Sequence, residues 1–254
     1  MDHDIGHLLN NWDFEPDEFL ARRIQAEDGS EKIQIRIDMG ILQLETAGRP
    51  DGTLPFGYSS LLDYHLAQVE ANKEGEFTFN EDQCEDLFQE AWQFYHRYLS
   101  LFYLEDYAGV VEDTEHTLNI FELVDEYAPN DEVRSYFEQY YPHAVMMQTR
   151  ARAMIALESE DYPTALNAVE EGIANIESFV EEWESDIEEE IPELSFLREL
   201  HEELEQERPL TQREQLERDL DEAVAAENFE EAARLRDKIQ TLWPSTRRLF
   251  RPER

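Results

Sequence analysis

Residues 154–173, MIALESEDYPTALNAVEEGI, have the pattern of two helices joined by a short acidic turn. An apolar helix end precedes Asp161-Tyr162, and a second amphipathic helix begins directly after this pair. Residues 99–118, LSLFYLEDYAGVVEDTEHTL, repeat the arrangement, with Tyr107 in the place of Tyr162. Paired antiparallel helices of this kind stack and bury a continuous core. The two copies therefore predict a mainly α fold of stacked antiparallel helical hairpins.

The turn in both copies resembles that of a tetratricopeptide (TPR) hairpin, in which a small residue three positions after the aromatic lets two helices approach. Val110 and Ala165 occupy this position. The first copy departs from the TPR pattern, because Tyr98 and Leu101 stand where small residues belong. The two copies are also 55 residues apart, whereas TPR repeats follow one another at about 34 residues. The resemblance implies TPR-like hairpins over residues 59–207, without the regular spacing of an array.

Further helical patterns surround these two copies. Residues 61–72 predict one helix, and Asn80 predicts the N-cap of the next, with Gln83 as its capping-box partner. That second helix is apolar over most of its girth, Trp92 included, which predicts burial between neighbouring helices. The acidic run at residues 181–193 carries apolar residues three or four positions apart. It therefore predicts an amphipathic helix with a solvated acidic face, and Pro192 is expected either to kink this helix or to start a new one.

The strand pattern of the chain lies near its N-terminus. Lys32 to Asp38 read KIQIRID, and this strict alternation predicts a half-buried strand with Ile33, Ile35 and Ile37 on the buried face. Asp28-Gly29 predicts a hairpin turn before the strand. Residues 49–52, Arg-Pro-Asp-Gly, predict the turn that closes the region. We expect a small β-meander of two or three strands within residues 1–58.

Residues 213–243, REQLERDLDEAVAAENFEEAARLRDKIQTLW, predict a helical hairpin at the other end of the chain. Thr211 and Glu214 form a capping box at its start, and Asn228 with Glu231 caps its second helix. Two helices of about 14 residues are too short to bury two apolar faces by themselves. The hairpin is therefore expected to dock on the protein's own body, on a second copy or on a partner's hairpin.

The segment Asn228-Phe229-Glu230-Glu231-Ala232-Ala233, followed by Leu-Arg-Asp-Lys-Ile at residues 235–239, resembles the UVR motif. In the bacterial repair proteins, the UVR motif is a helical hairpin that joins UvrB to UvrC. The motif also occurs in some chaperone and kinase-regulator proteins. The resemblance implies protein–protein contact through the hairpin. The residues expected at this interface are Leu220, Val224, Phe229, Ala232, Ala233, Leu235, Arg236 and Ile239.

The charge of the chain is very uneven. The chain carries 61 acidic and 21 basic residues, for a net charge of −40, yet residues 208–254 hold ten of each sign. This break predicts a module boundary at residue 208. The change to a helical period from Ser59 adds a second boundary, which gives residues 1–58, 59–207 and 208–254. An acidic body repels phosphates, which argues against direct nucleic-acid binding and against anionic membranes. The basic tail at residues 247–254 is expected to meet the acidic body more readily than nucleic acid.

Signatures of catalysis, metal binding and cofactor binding are not found in the sequence. No phosphate-binding loop, His-Glu-x-x-His or nucleophile elbow occurs. The single cysteine, Cys84, lies on a helix predicted to be buried, and Asp113-x-x-His116 is a lone partial match to a di-iron pattern. We therefore expect neither metal nor cofactor. The first 16 residues lack the pattern of a signal peptide, and no apolar run is long enough to span a membrane, so we expect a cytoplasmic protein.

These patterns favour a non-enzymatic adaptor that docks on a partner protein through its C-terminal UVR hairpin, with a homodimer as one form of this docking. A second hypothesis is an accessory factor of nucleotide-excision repair that contacts UvrA, UvrB or UvrC. A third is an enzyme whose site lies at the meander, where Arg49, Asp51 and Asp38 would line a pocket. The partner, the client, the pathway, the oligomeric state and the role of the meander stay open at this level.

Overall fold

The computed structural model describes residues 4–72, 77–182 and 191–242 of the 254-residue chain. The chain divides into two compact units, Met1–Glu205 and Gln206–Arg254. The first holds a three-stranded sheet followed by helices, and the second holds a helical hairpin. A mainly α fold with a small N-terminal meander and a C-terminal helical hairpin is thereby confirmed. The division at residues 58 and 207 and the TPR-like character of the body stay predictions.

The sheet is an antiparallel meander with strand order β1-β2-β3. Its strands are β1 (Ala21–Gln25), β2 (Glu31–Ile37) and β3 (Gly40–Glu45), and a short helix, α1 (Gly6–Leu9), precedes them. The register places Ile33 opposite Leu44, and both residues are buried. Gly29 takes a φ of +84° in the predicted turn between β1 and β2, a conformation that glycine adopts without steric cost.

The prediction that β2 is half-buried is wrong. Ile33 and Ile35 are buried as expected, but Ile37 is 41% exposed at the end of the strand. Gln34 and Arg36, on the opposite face, are also buried. The central strand is therefore covered on both sides over most of its length.

Polar partners from neighbouring segments explain why this second face is buried. The Gln34 side chain accepts hydrogen bonds from Arg22 of β1 and donates one of 2.9 Å to Gln43 of β3. Arg36 donates from Nε to the carbonyl oxygen of Trp12 at 2.9 Å. Buried polar groups are tolerated where each finds a partner, and alternation along one strand does not reveal those partners.

Helices of eight or more residues follow the sheet. They are α2 (Leu61–Ala71), α3 (Glu81–Tyr103), α4 (Tyr107–Tyr127), α5 (Asp131–Glu138), α6 (Tyr141–Leu157), α7 (Tyr162–Glu182) and α8 (Pro192–Glu207). The second unit consists of α9 (Gln212–Ala225) and α10 (Phe229–Leu242). The capping box of Asn80 and Gln83 at the start of α3 is confirmed.

One helix prediction is revised, and another falls largely outside the described residues. Trp92 of α3 was expected to be buried, but its side chain is 42% exposed and stacks on Tyr95 with ring centroids 4.8 Å apart. The helix predicted across residues 181–193 is described only up to Glu182, and α8 begins at Pro192. Residues 183–190 lie outside the described part of the chain, as does the basic tail at 247–254.

The core of the first unit unites sheet and helices. Ile33, Ile35 and Leu44 of the sheet share one hydrophobic cluster with residues of α3, α4, α6, α7 and α8. A second cluster joins α2, α3, α4 and α5 around Leu87 and Phe121. Consecutive helices α3 and α4, and again α6 and α7, form closely packed pairs, as the two sequence copies predict.

Glu90 of α3 ties the segment after the sheet to this helical core. Its fully buried carboxylate accepts hydrogen bonds from the backbone N–H groups of Leu61 and Leu62, at 2.7 and 3.1 Å. It also lies 3.3 Å from Nη1 of Arg49 and 3.1 Å from Nε2 of His116. The first turn of α2, the loop after β3 and α4 thus meet at one buried carboxylate.

His65 of α2 makes the stability of this region depend on pH. The side chain is buried against Phe79, and burial lowers the pKa of His65, while Glu90 and Asp86 act in the opposite direction. The unfolded chain takes up a proton at a pKa of about 6.5, whereas the folded chain takes it up only at lower pH. The neutral His65 therefore stabilises the fold fully above a pH of about 6.5, and this stabilisation is lost as the pH falls below that value.

We expect the His65→Leu variant to lose less stability than the parent protein between pH 7.5 and pH 5.5. Urea unfolding at both pH values measures this difference, and the change with pH is compared rather than the absolute values. His7→Leu, at an exposed histidine, controls for the removal of an imidazole. An identical loss in the parent protein and in His65→Leu would contradict the prediction.

Candidate protein-interaction site

The terminal hairpin begins with the predicted capping box. Thr211 accepts a hydrogen bond from the backbone N–H of Glu214, and the Glu214 carboxylate accepts one of 2.8 Å from the backbone N–H of Thr211. The guanidinium of Arg208 pairs with Glu214 at 2.6 Å, and this hydrogen bond is the main reason that the pKa of Glu214 is lowered. The start of α9 is thus fixed by local contacts within the second unit.

The turn between α9 and α10 is fixed by backbone hydrogen bonds. Glu227 takes a φ of +56°, and its N–H donates to the carbonyl oxygen of Val224 at 3.0 Å. The N–H of Asn228 donates to the carbonyl oxygen of Ala223 at 2.8 Å. This pair of bonds with one left-handed residue is the Schellman motif that ends many helices. The side chain of Asn228 then accepts from the N–H of Glu231, as predicted, and starts α10.

The same turn joins the helices of the two pairs in the first unit. Glu105 and Glu160 also take positive φ angles, of 60° and 55°. The next residue donates its N–H five positions back in each case, from Asp106 to Leu101 at 2.8 Å and from Asp161 to Ala156 at 3.0 Å. The hairpin is therefore a third example of one turn. The sequence signal is a glutamate followed by Asp or Asn and then an aromatic, at residues 105–107, 160–162 and 227–229.

Small residues let the two helices of the hairpin approach each other. Ala223 of α9 and Ala232 of α10 are buried, and Ala232 is the equivalent of Val110 and Ala165 three positions after the aromatic. Leu216 is buried as well. Among the residues expected at the interface, Ala232 thus lies between the two helices, and three others are half-buried. These three are Leu220, Leu235 and Ile239.

The remaining residues expected at the interface are exposed. Phe229 is 69% exposed and Val224 is 50% exposed, and Leu242 at the end of α10 is also exposed. Ala233 is exposed, and so is Arg236, which lies 3.2 Å from Asp237. The hairpin therefore presents several large apolar side chains on its surface.

Phe229 differs from its counterpart in the body of the protein. Tyr107 follows the first turn at the same position, yet it is only 9% exposed and its ring lies against Phe102 at 5.4 Å. Tyr162, after the second turn, is half-buried. One turn conformation thus carries a covered aromatic in the first unit and an open one in the hairpin.

The residues considered for chemistry are occupied by structural contacts. Burial raises the pKa of the Cys84 thiol to about 11, which leaves little thiolate at neutral pH. Asp113 forms a bidentate ion pair with Arg97, with hydrogen bonds of 2.7 and 2.8 Å. His116 lies instead beside Glu90, at 3.1 Å. Among the described residues, no group of three or more His, Cys, Asp or Glu side chains is arranged to hold a metal ion.

The meander residues proposed for an enzyme site do not all come together. Arg49 lies 3.1 Å from Asp51 and also reaches the buried Glu90. Asp38 is exposed in the turn before β3, at the opposite end of that strand from Arg49. The structure thus brings together two of the three side chains and engages both in contacts within the protein. Across the described ranges, no helix has the length and apolar character needed to cross a membrane.

The comparison with known families agrees with the geometry of the hairpin. The family model described as UvrB/uvrC motif matches residues 211–242. No curated protein and no solved structure matches the chain. The match begins at the capping residue Thr211 and ends at Leu242, the last residue of α10. The C-terminal hairpin formed by α9 and α10 is therefore a UVR motif, as the resemblance of its sequence implies.

Proposed function

We propose that this protein is a non-enzymatic adaptor that docks on a partner protein through its UVR hairpin. The exposed ring of Phe229 is the observation that carries the proposal, because Tyr107, at the same position after the first turn of the first unit, is covered. An apolar side chain of this size gains about 1.5–3 kcal/mol when it is fully removed from water. A partner surface that covers Phe229 and Val224 would supply this gain.

The shape of the hairpin favours another pair of helices as the docking surface. Ala223 and Ala232 are buried in the hairpin, whereas the larger side chains of Val224, Phe229 and Leu242 are exposed. A second hairpin packed against these exposed side chains would form a four-helix arrangement. A second copy of this chain could supply it through a two-fold contact, and so could the UVR hairpin of a different protein.

Substitution of Phe229 by aspartate is expected to weaken partner binding about tenfold or more, because a charge would have to be buried in an apolar contact. An aspartate in the first turn of α10 is favourable for the helix, so the hairpin itself should persist. Gln212→Asp adds the same charge at an exposed position in the first turn of α9, where it is equally favourable for the helix, and serves as the matched control. Pull-downs and titrations with the parent protein and both variants measure the effect.

A chain that lacks residues 209–254 completes the test. It should lose the partners that Phe229→Asp loses, whereas Gln212→Asp should keep them. If the bound proteins are the same with and without the hairpin, the hairpin is not the docking element. Sedimentation of the purified protein over a range of concentrations distinguishes a second copy from a different partner.

The match to the UvrB/uvrC motif favours a second function, that of an accessory factor in nucleotide-excision repair. Because a net charge of −40 repels the phosphates of DNA, such a factor would contact repair proteins rather than DNA. Mixing the purified protein with UvrA, UvrB and UvrC would test for a complex. Unchanged ultraviolet resistance after deletion of the gene, together with no complex, would exclude this function.

A further inference from the structure

We propose that a groove bordered by α4, α5 and α7 binds a short basic segment of a partner protein that carries large apolar side chains. The groove has a volume of about 1040 Å³, and all of its lining residues belong to the first unit. This volume is at the upper end of the range of small-molecule pockets. It suits a stretch of polypeptide better than a metabolite.

The floor of the groove is apolar. Phe121 of α4 and Phe137 of α5 are buried beneath it, and Leu118 contributes from the preceding turn of α4. Tyr141 and Phe179 stack on each other with ring centroids 4.5 Å apart and form its far side. A floor of this kind accepts an apolar side chain of a bound segment, as grooves that bind amphipathic helices do.

The rim of the groove is acidic. Four carboxylates line it, from Glu122, Asp125, Asp131 and Glu138, together with a single basic residue, Arg134. Arg134 is already engaged, because it lies 3.1 Å from Asp125 and 2.7 Å from Asp131. The groove therefore has an uncompensated negative charge.

Glu122 and Glu138 are the carboxylates that remain available to a ligand. Within the described ranges, neither takes part in an ion pair or a side-chain hydrogen bond. They belong to α4 and α5, so cations of a bound segment could meet carboxylates from both helices. Lysine and arginine side chains carry apolar stems with charged ends, which suits an apolar floor below an acidic rim. The charge complementarity thus selects a basic segment, and the phosphates of a nucleic acid would be repelled.

A fluorescein-labelled amphipathic peptide of about 14 residues, built from leucine and lysine, can test the proposal with the full-length protein. Fluorescence anisotropy measures its affinity. The double variant Glu122→Gln/Glu138→Gln is expected to bind about tenfold more weakly, because two ion pairs are lost. Glu202→Gln/Glu203→Gln removes the same charge from exposed positions of α8, outside the groove, and should bind like the parent protein.

A steric variant separates the groove from general attraction to an acidic protein. Asn175→Trp, at an exposed position in the lining of the groove, should reduce binding without changing the net charge. Circular dichroism and thermal unfolding verify that each variant is folded. All lining residues of the groove belong to the first unit, so failure of the docking proposal for the hairpin would not affect this result.

Three results would overturn the inference. The first is equal loss of affinity in the groove and α8 double variants, which would show nonspecific attraction. The second is undiminished binding by Asn175→Trp. The third is a tenfold gain in affinity when residues 247–254 are removed, since the chain's own basic tail would then be the occupant in place of a partner.

Discussion

Replacement of Asp113 by leucine should destabilise the first unit by about 3–5 kcal/mol, the cost of leaving a buried charge without its partner. Arg97 and Asp113 are 4% and 5% exposed, and their side chains are joined by two hydrogen bonds. A guanidinium does not lose its proton at accessible pH, so it cannot escape this cost by becoming neutral. Arg97 also donates to the carbonyl oxygens of Glu45 and Gly48, at 3.1 and 2.7 Å, and these bonds compensate only part of it.

Urea unfolding of a double-mutant cycle measures this effect. Arg97→Met and Asp113→Leu should each be costly, whereas the double variant should lose less than the sum of the two. Glu177→Leu is the matched control, because its ion pair with Arg198 has the same distance of 2.7 Å but is exposed. It should cost less than about 1 kcal/mol. If the losses in the free energy of unfolding from the two single variants add up in the double variant, Arg97 and Asp113 are not coupled and the prediction is wrong.

Gly172→Ala should lower the stability of the same unit by about 2 kcal/mol, because the added methyl group would overpack the contact between α6 and α7. A Cβ atom at Gly172 would lie 2.7 Å from Cγ2 and 2.9 Å from Cβ of the buried Thr149, and closer still to its Oγ1. Alanine favours a helix over glycine by about 1 kcal/mol, so the clash must exceed this gain for the variant to be destabilised. Thermal and urea unfolding measure the net result.

Gly109→Ala provides a control in which the same methyl group contacts a side chain that can move away. There the new Cβ would lie 3.0 Å from Cδ1 of Leu101, the far end of a flexible side chain. This variant should therefore be much less affected than Gly172→Ala. Thr149→Ala should recover part of the stability when it is combined with Gly172→Ala, since it removes two of the three clashing atoms. Equal stability of the two glycine variants would contradict the argument.

Local sequence patterns predicted the elements whose causes are local. The capping boxes at Asn80 and at Thr211 were found because each depends on two residues three positions apart. The core of β2 followed from alternating isoleucines. The hairpin with its UVR motif was recognisable because Asn228 to Ile239 carry both its turn and its family pattern.

The features that sequence patterns missed depend on residues far apart along the chain. Gln34 and Arg36 are buried because Arg22, Gln43 and Trp12 provide partners for them. Gly172 matters only because Thr149 faces it from another helix. The groove between α4, α5 and α7 likewise arises from packing, and no single stretch of sequence contains it.

The recurrence of one turn in both units suggests what a partner of the hairpin contributes. In the first unit, α6 packs against α4 and so adds a third helix to the pair of α3 and α4, and Tyr107 of α4 is covered. The hairpin of α9 and α10 repeats the turn, but Phe229 directly after it is exposed. A docking partner would thus complete across two chains the three-helix packing that α3, α4 and α6 achieve within one, and recognition would be a last step of folding.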